Sequence, residues 1–276
     1  MQNRIKQIQS LAAPLRIGLF IFVLLLIWLP VAIPIQVLLA GDQDLVTILT
    51  MGWLFVLFLI LVRVTEKFLY QKSHPYQAVG LTINSRFGLD LLQGLIIGLI
   101  LTFTLFLLQG SLGWLNWQDN ALPFWQLILE GALTGIGVGI AEEALFRGWL
   151  LNELQRDYSL NIALWVNAII FAIAHFIKPL DVILETFPEF PGLVLLGLVL
   201  VWARRKTQGQ LGLAIGLHGG LVWAYYIINV GDLITYSDRA SPIITGLDGN
   251  PISGIMGWLF LMGLAVWLQW EIKRSS

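Results

Sequence analysis

"GIGVGIAEEALFRGWL", residues 135–150, sets Glu142, Glu143 and Arg147 in a stretch otherwise made of apolar residues and glycine. An ionisable side chain inside a membrane helix costs roughly 2.5–3.5 kcal/mol on insertion scales. Three so close together must be paired, hydrated or functional. Helix geometry sorts them. Glu143 and Arg147 are four residues apart with the glutamate first, the favourable order for an ion pair on one helix face. Glu142 lies about 100° round the helix from Glu143, so it points elsewhere and lacks Arg147 as a natural partner. The pair reads as structural and the unpaired carboxylate as functional.

The surroundings make this a membrane helix. The 276 residues are 57% hydrophobic and only 12% charged, against about 25% charged in a soluble domain. Uncharged runs occur at 17–40, 45–62, 91–118, 158–177, 207–231 and 249–270, and two weaker candidates are 121–150 and the short 190–203. A bilayer crossing takes about 20 apolar residues. The expectation is an all-α polytopic membrane protein with about eight transmembrane helices and a catalytic core from helices 4, 5 and 7. The chain reads as one integral membrane domain over 1–276, with the core at 120–230.

The loop charges agree with that count. With the N-terminus in the cytoplasm, 14 of the 16 Lys and Arg fall inside, and only Lys178 and Arg239 fall outside. The outer loops carry Asp42, Asp44, Asp119, Asp181, Glu185, Glu189, Asp232, Asp238 and Asp248. This is the positive-inside bias, with both termini cytoplasmic. It requires 190–203 to cross, because otherwise Arg204, Arg205 and Lys206 would lie outside. The first apolar run, about 24 residues, exceeds the 7–15 residues of a signal-peptide core and reads as a retained anchor. The outer loop 229–253 reads as a connection between spans. No cysteine is present, which excludes disulfides and thiolate chemistry, and no basic patch points to nucleic acid.

An isolated pair of glutamates near a span end can simply snorkel to the interface. The histidines change the balance. His74 sits in a polar loop, whereas His175 ("VNAIIFAIAHF") and His218 ("LGLAIGLHGGLVW") are each inside an apolar run. Asn167, Phe171 and His175 recur every fourth residue and share a helix face. The glutamate helix carries Gly131, Gly135 and Gly139, and the His218 helix Gly212, Gly216 and Gly220. Such ridges let helix backbones approach closely. One site holding Glu142, His175 and His218 is the expectation.

These residues resemble a family. "EEALFR" at 142–147 fits EExxxR, "FAIAH" at 171–175 fits FxxxH, and a third motif is headed by His218. In this order they are similar to the CPBP family: the type II CAAX prenyl proteases with bacterial abortive-infection and bacteriocin-processing or immunity proteins. The resemblance implies an intramembrane endopeptidase and eight spans. It makes Glu142 the general base that activates water with His175, His218 a stabiliser of the oxyanion, and Glu143 with Arg147 the support for the first glutamate. There is one departure. The third motif usually ends in Asn or Asp, and here "HGGLV" ends in Val222; Asn167, Trp223 or a backbone N–H is left to substitute, with Asn167, Phe171 and Val222 as the residues around the oxyanion and substrate.

The expected substrate is a hydrophobic or lipidated peptide, met in the lipid bilayer of a prokaryotic plasma membrane or an equivalent organellar membrane. No cofactor is expected. Two histidines and a glutamate also form a His2Glu zinc donor set, but no HExxH is present. The alternative function is a non-enzymatic membrane immunity or interaction protein with a degenerate protease site, which Val222 favours. A transporter is a third reading, but no second motif set marks an inverted repeat.

Overall fold

The computed structural model describes residues 2–119, 122–237 and 239–275. Asp238, residue 120 at the start of the expected core, and the first and last residues of the expected domain lie outside them. In chain order the helices are α1 Gln2–Gln9, α2 Ala13–Leu38, α3 Gln43–Val64, α4 Pro75–Ala78, α5 Ser85–Ser111, α6 Phe124–Glu143, α7 Leu151–Asp157, α8 Leu160–Ala174, α9 Leu180–Thr186, α10 Glu189–Lys206, α11 Gly212–Val230, α12 Pro242–Thr245 and α13 Ile255–Ser275. π-helical segments at Thr65–Leu69 and Ala144–Leu150 continue α3 and α6. The protein is an all-α polytopic membrane protein. Large apolar side chains such as Phe22, Leu26 and Ile33 of α2 and Ile48 and Ile60 of α3 are exposed on the outside, as lipid contact requires and water would penalise.

Each of the eight predicted segments contains a helix, yet fewer than eight are long enough to cross. Among the described residues six helices qualify: Ala13–Leu38, Gln43–Leu69, Ser85–Ser111, Phe124–Asp157, Gly212–Val230 and Ile255–Arg274. The predicted short span is α10, which joins α9 at a 74° bend and makes a seventh crossing only if the two count as one. α8, with 15 residues, is about 22 Å long, short of a roughly 30 Å hydrocarbon core. The "RRK" run is also displaced from its expected place in a loop: Arg204, Arg205 and Lys206 form the last turn of α10, and Arg204 is buried.

Glycine seams fix the centre. Every residue of α11 from Gly212 to Gly220 is buried. A Cβ on Gly216 would stand 2.0 Å from the Leu91 carbonyl oxygen of α5, and one on Gly135 of α6 would stand 2.4 Å from the Gly219 carbonyl oxygen. These helices therefore touch backbone to backbone, with α5 on one side of α11 and α6 on the other.

A buried ionic network ties α2 to the α7 end of the continuous helix Phe124–Asp157. Arg16 Nε donates to Glu153 Oε2 at 2.9 Å and Arg16 Nη2 to Asp157 Oδ1 at 3.1 Å. Tyr70 Oη donates to the same Glu153 oxygen at 2.9 Å, and Arg156 joins Glu153 to Glu66. Burying one of these charges alone would be costly, and the mutual pairing offsets that cost.

Two features depart from the sequence expectation. Leu115–Trp117 and Ile234–Tyr236 pair as a short antiparallel ladder, with Asn116 opposite Thr235. The loop expected only to connect spans contributes Asn250, Pro251 and Ile252 to the wall of a cavity beside α5, α10, α11 and α13.

Candidate active site

Glu142 and Glu143 are the last residues of α6, directly before the π-helical segment Ala144–Leu150. Glu143 and Arg147 are fully buried, and Arg147 Nη1 donates to Glu143 Oε1 at 3.0 Å. The guanidinium reaches across to α10, where Nη2 donates to the Gly197 carbonyl at 3.3 Å. Its carbon lies 4.0 Å from the centroid of the Phe171 ring, in cation–π contact. The expected i, i+4 pair is present and sealed.

Glu143 has a second partner. His218 Nδ1 lies 2.9 Å from Glu143 Oε1. On α8, His175 Nδ1 lies 2.8 Å from the Phe171 carbonyl oxygen. A backbone carbonyl only accepts, and Glu143 Oε1 already serves as acceptor to Arg147 Nη1, so both Nδ1 atoms carry the proton and donate. That fixes which nitrogen faces the site. His175 Nε2 and His218 Nε2 stand 3.8 Å and 3.9 Å from one oxygen, Oε2 of Glu142. These gaps are too long for direct hydrogen bonds and match the reach of one bridging water. That carboxylate oxygen has no hydrogen-bond partner among the described residues.

Phe171 is the packing element between these groups. Its ring centroid is 4.6 Å from that of His175 and 6.1 Å from that of His218. Asn167, one turn earlier, is fully buried and donates through Nδ2 to the Phe146 carbonyl at 2.8 Å. Its amide is thus committed to the π-helical backbone, and Asn167 does not line the cavity. Trp223 does not line it either; its indole packs over Gly131 of α6.

The cavity, about 270 Å³, is lined by both imidazoles and by Thr102, Val222, Tyr225 and Glu189 among mainly leucine side chains. Glu142 is not among its lining residues and meets it through the two histidines. At the far polar patch Asn250 Nδ2 donates to Glu189 Oε1 at 2.9 Å, with Lys178 Nζ 3.9 Å from Oε2. Val222, one turn beyond His218 on α11, presents an apolar wall. Among the described residues no group of three or more His, Asp or Glu side chains is spaced to hold a metal ion, so the donors as placed do not fit the zinc alternative.

Arg204 is a site residue that the sequence places only among the cytoplasmic-side cations. It donates to the Arg147 carbonyl, to the Gly209 carbonyl at 3.1 Å and to Asn152 Oδ1 at 2.8 Å. A π-helical segment displaces the regular i→i−4 ladder. Two side chains, Asn167 from α8 and Arg204 from α10, take up the Phe146 and Arg147 carbonyls within it. A charged run at the end of a short span carries no signal that separates this role from ordinary snorkelling.

No curated protein and no solved structure matches the chain. A family model does. It covers residues 123–224, which include both glutamates, Arg147 and both buried histidines. The model is that of the family described as type II CAAX prenyl endopeptidase Rce1-like, and the match agrees with the CPBP resemblance of the motifs.

Proposed function

We propose that the protein is an intramembrane endopeptidase that hydrolyses a membrane-associated hydrophobic or lipidated peptide with a water activated by Glu142 and His175. The observation that carries the reading is the convergence of His175 Nε2 and His218 Nε2 on Glu142 Oε2, at 3.8 Å and 3.9 Å, beside an apolar cavity. A protease domain over 123–224 supports the reaction class. A water between these three atoms gives one proton to Glu142 as its oxygen attacks the peptide carbonyl carbon. The carbonyl π pair moves to oxygen, giving a tetrahedral oxyanion. When the pair returns, the C–N bond breaks, and Glu142 passes its proton to the leaving nitrogen. Glu143 and Arg147 keep His218 turned toward Glu142. General-base assistance of this kind contributes about 10²–10⁴-fold.

The remaining expectations belong to the same proposal: one membrane domain with its protease core at 120–230, both termini on the cytoplasmic side, and no cofactor. The 14 of 16 cations assigned to one side support the orientation. A second reading is favoured by one observation. Val222 leaves the wall beside His218 apolar, as suits a degenerate site in an immunity or interaction protein.

The deciding experiment compares wild type and Glu142→Gln in detergent on fluorogenic prenylated and leader peptides, with metal content measured. Cleavage by wild type alone, unaffected by chelator, is the expected result. A Glu142→Gln protein that cleaves as fast as wild type would remove Glu142 from the mechanism.

A further inference from the structure

An oxyanion is held by donors aimed at it before it forms. The site has few. A neutral imidazole carries one ring proton, and in both His175 and His218 that proton is on Nδ1, committed to the Phe171 carbonyl and to Glu143. Neither neutral ring therefore turns an N–H toward the cavity. Val222 offers none, Asn167 is committed to the Phe146 carbonyl, and Asn250 stands at the far polar patch with one N–H spent on Glu189. Two hydroxyls remain on the cavity wall, those of Thr102 and Tyr225.

Thr102 is unusual among the threonines of this protein. Four threonines are buried: Thr50, Thr102, Thr207 and Thr245. Thr50, Thr207 and Thr245 donate their hydroxyls to carbonyls one turn back, at Val46, Ala203 and Ser241. This is the ordinary fate of a helix threonine. The Thr102 hydroxyl has no such bond, nor any other among the described residues, and it lines the cavity.

The helix register sets its height. α5 and α11 run parallel: a Cβ on Gly94 would meet Leu213 and Leu217, and one on Gly98 would meet Leu217 and Leu221. Gly94, Gly98 and Thr102 share one face at successive turns. By the same step Thr102 comes level with the turn Leu221–Tyr225, which carries Val222, on the α11 side of the seam. Tyr225 lies seven residues beyond His218, about 10 Å along the axis, and Val222 only four.

We infer that the Thr102 hydroxyl is the neutral donor to the oxyanion, filling from α5 the role that Val222 leaves empty on α11. The inference rests on the proteolytic reading. Thr102 keeps its proton throughout: it donates a hydrogen bond to the carbonyl oxygen as that oxygen gains the electron pair, and no proton is transferred.

The test uses the full-length protein in detergent with wild type, Thr102→Val, Thr102→Ser, the double variant Thr102→Val with Val222→Asn, and Glu142→Gln. Loss of one such donor costs about 10²–10³-fold in kcat. Thr102→Val is expected to lose that much in kcat with KM within about threefold of wild type, while Thr102→Ser stays near wild type. Val222→Asn is expected to restore at least tenfold to Thr102→Val, which a purely structural threonine would not allow. Thr102→Val at wild-type kcat beside an inactive Glu142→Gln overturns the inference and leaves the protease reading standing. Failure of Val222→Asn to restore any rate overturns it too. A wild type that cleaves nothing overturns both.

Discussion

His218 Nδ1 and Glu143 Oε1 are 2.9 Å apart in a fully buried contact, and the same carboxylate oxygen receives Arg147 Nη1 at 3.0 Å. One glutamate oxygen thus fixes both the cation that neutralises it and the imidazole that faces Glu142. Removing the carboxylate charge leaves Arg147 buried and uncompensated, which costs about 3–5 kcal/mol in comparable pairs. Glu143→Gln is expected to unfold at a clearly lower temperature in detergent. Arg147→Met combined with Glu143→Gln should recover much of that loss. A double variant no more stable than Glu143→Gln would show that the strain comes from elsewhere.

His175 is anchored through a backbone carbonyl, so its side chain can be replaced with little loss of fold. His175→Phe keeps an aromatic ring against Phe171, whose centroid lies 4.6 Å from the imidazole. It removes Nε2 from the Glu142 oxygen. The expected outcome is an unchanged melting temperature with kcat lower by about 10²–10⁴-fold. Parallel melting curves and progress curves decide it; a large fall in stability would make the ring itself structural.

How much of this was legible follows from where each residue stands. Glu142, Glu143 and Arg147 announce themselves because charge is costly in an apolar run, and the four-residue spacing alone predicts their ion pair. His175 and His218 are readable for the same reason, and the glycine ridges predict that their helices touch. Arg204 was not readable, since a cation at a span end is the commonest place to find one. Thr102 carries no charge and gives no such signal, although Gly94, Gly98 and Thr102 repeat at the four-residue spacing of a packing seam. The π-helical segment 144–150 has no composition signature, and a loop such as 250–252 reveals its cavity contact only once α10 and α13 are packed beside it.

That π-helical segment yields a separate prediction. Asn167 and Arg204 donate to the Phe146 and Arg147 carbonyls within it, each worth about 1–3 kcal/mol when a buried partner is stranded. Asn167→Leu and Arg204→Met should raise hydrogen exchange across 144–150 before the rest of the bundle. Arg204→Lys should restore part of the protection, because an ammonium can still reach a carbonyl. Exchange that rises evenly over all helices would instead mark a general packing loss.

The glycine seam sets a steric limit that the polar site does not. A Cβ on Gly216 would stand 2.0 Å from the Leu91 carbonyl oxygen, backbone that cannot rotate away. Gly216→Ala is therefore expected to push α5 from α11 and to lower the melting temperature more than Gly137→Ala, where nothing lies within 4 Å. Equal melting temperatures for the two variants would deny the backbone contact.

Alkaline stability follows from Tyr70, just beyond the span that ends at Leu69. Burial, then the neighbouring Glu153 carboxylate that accepts its hydroxyl proton, push the Tyr70 phenol well above its ordinary value; Arg156 and Arg16 pull the other way. The folded protein thus holds this proton more tightly than the unfolded chain, whose phenol titrates near 10. The stabilisation is complete below about pH 10 and is lost as pH rises from there toward the folded value. Tyr70→Phe should lower stability at neutral pH, through loss of the bond to Glu153, and should flatten the decline above pH 10. Melting temperatures of both proteins from pH 7 to 11 test this, and parallel curves over the whole range would show that Tyr70 does not carry the alkaline transition.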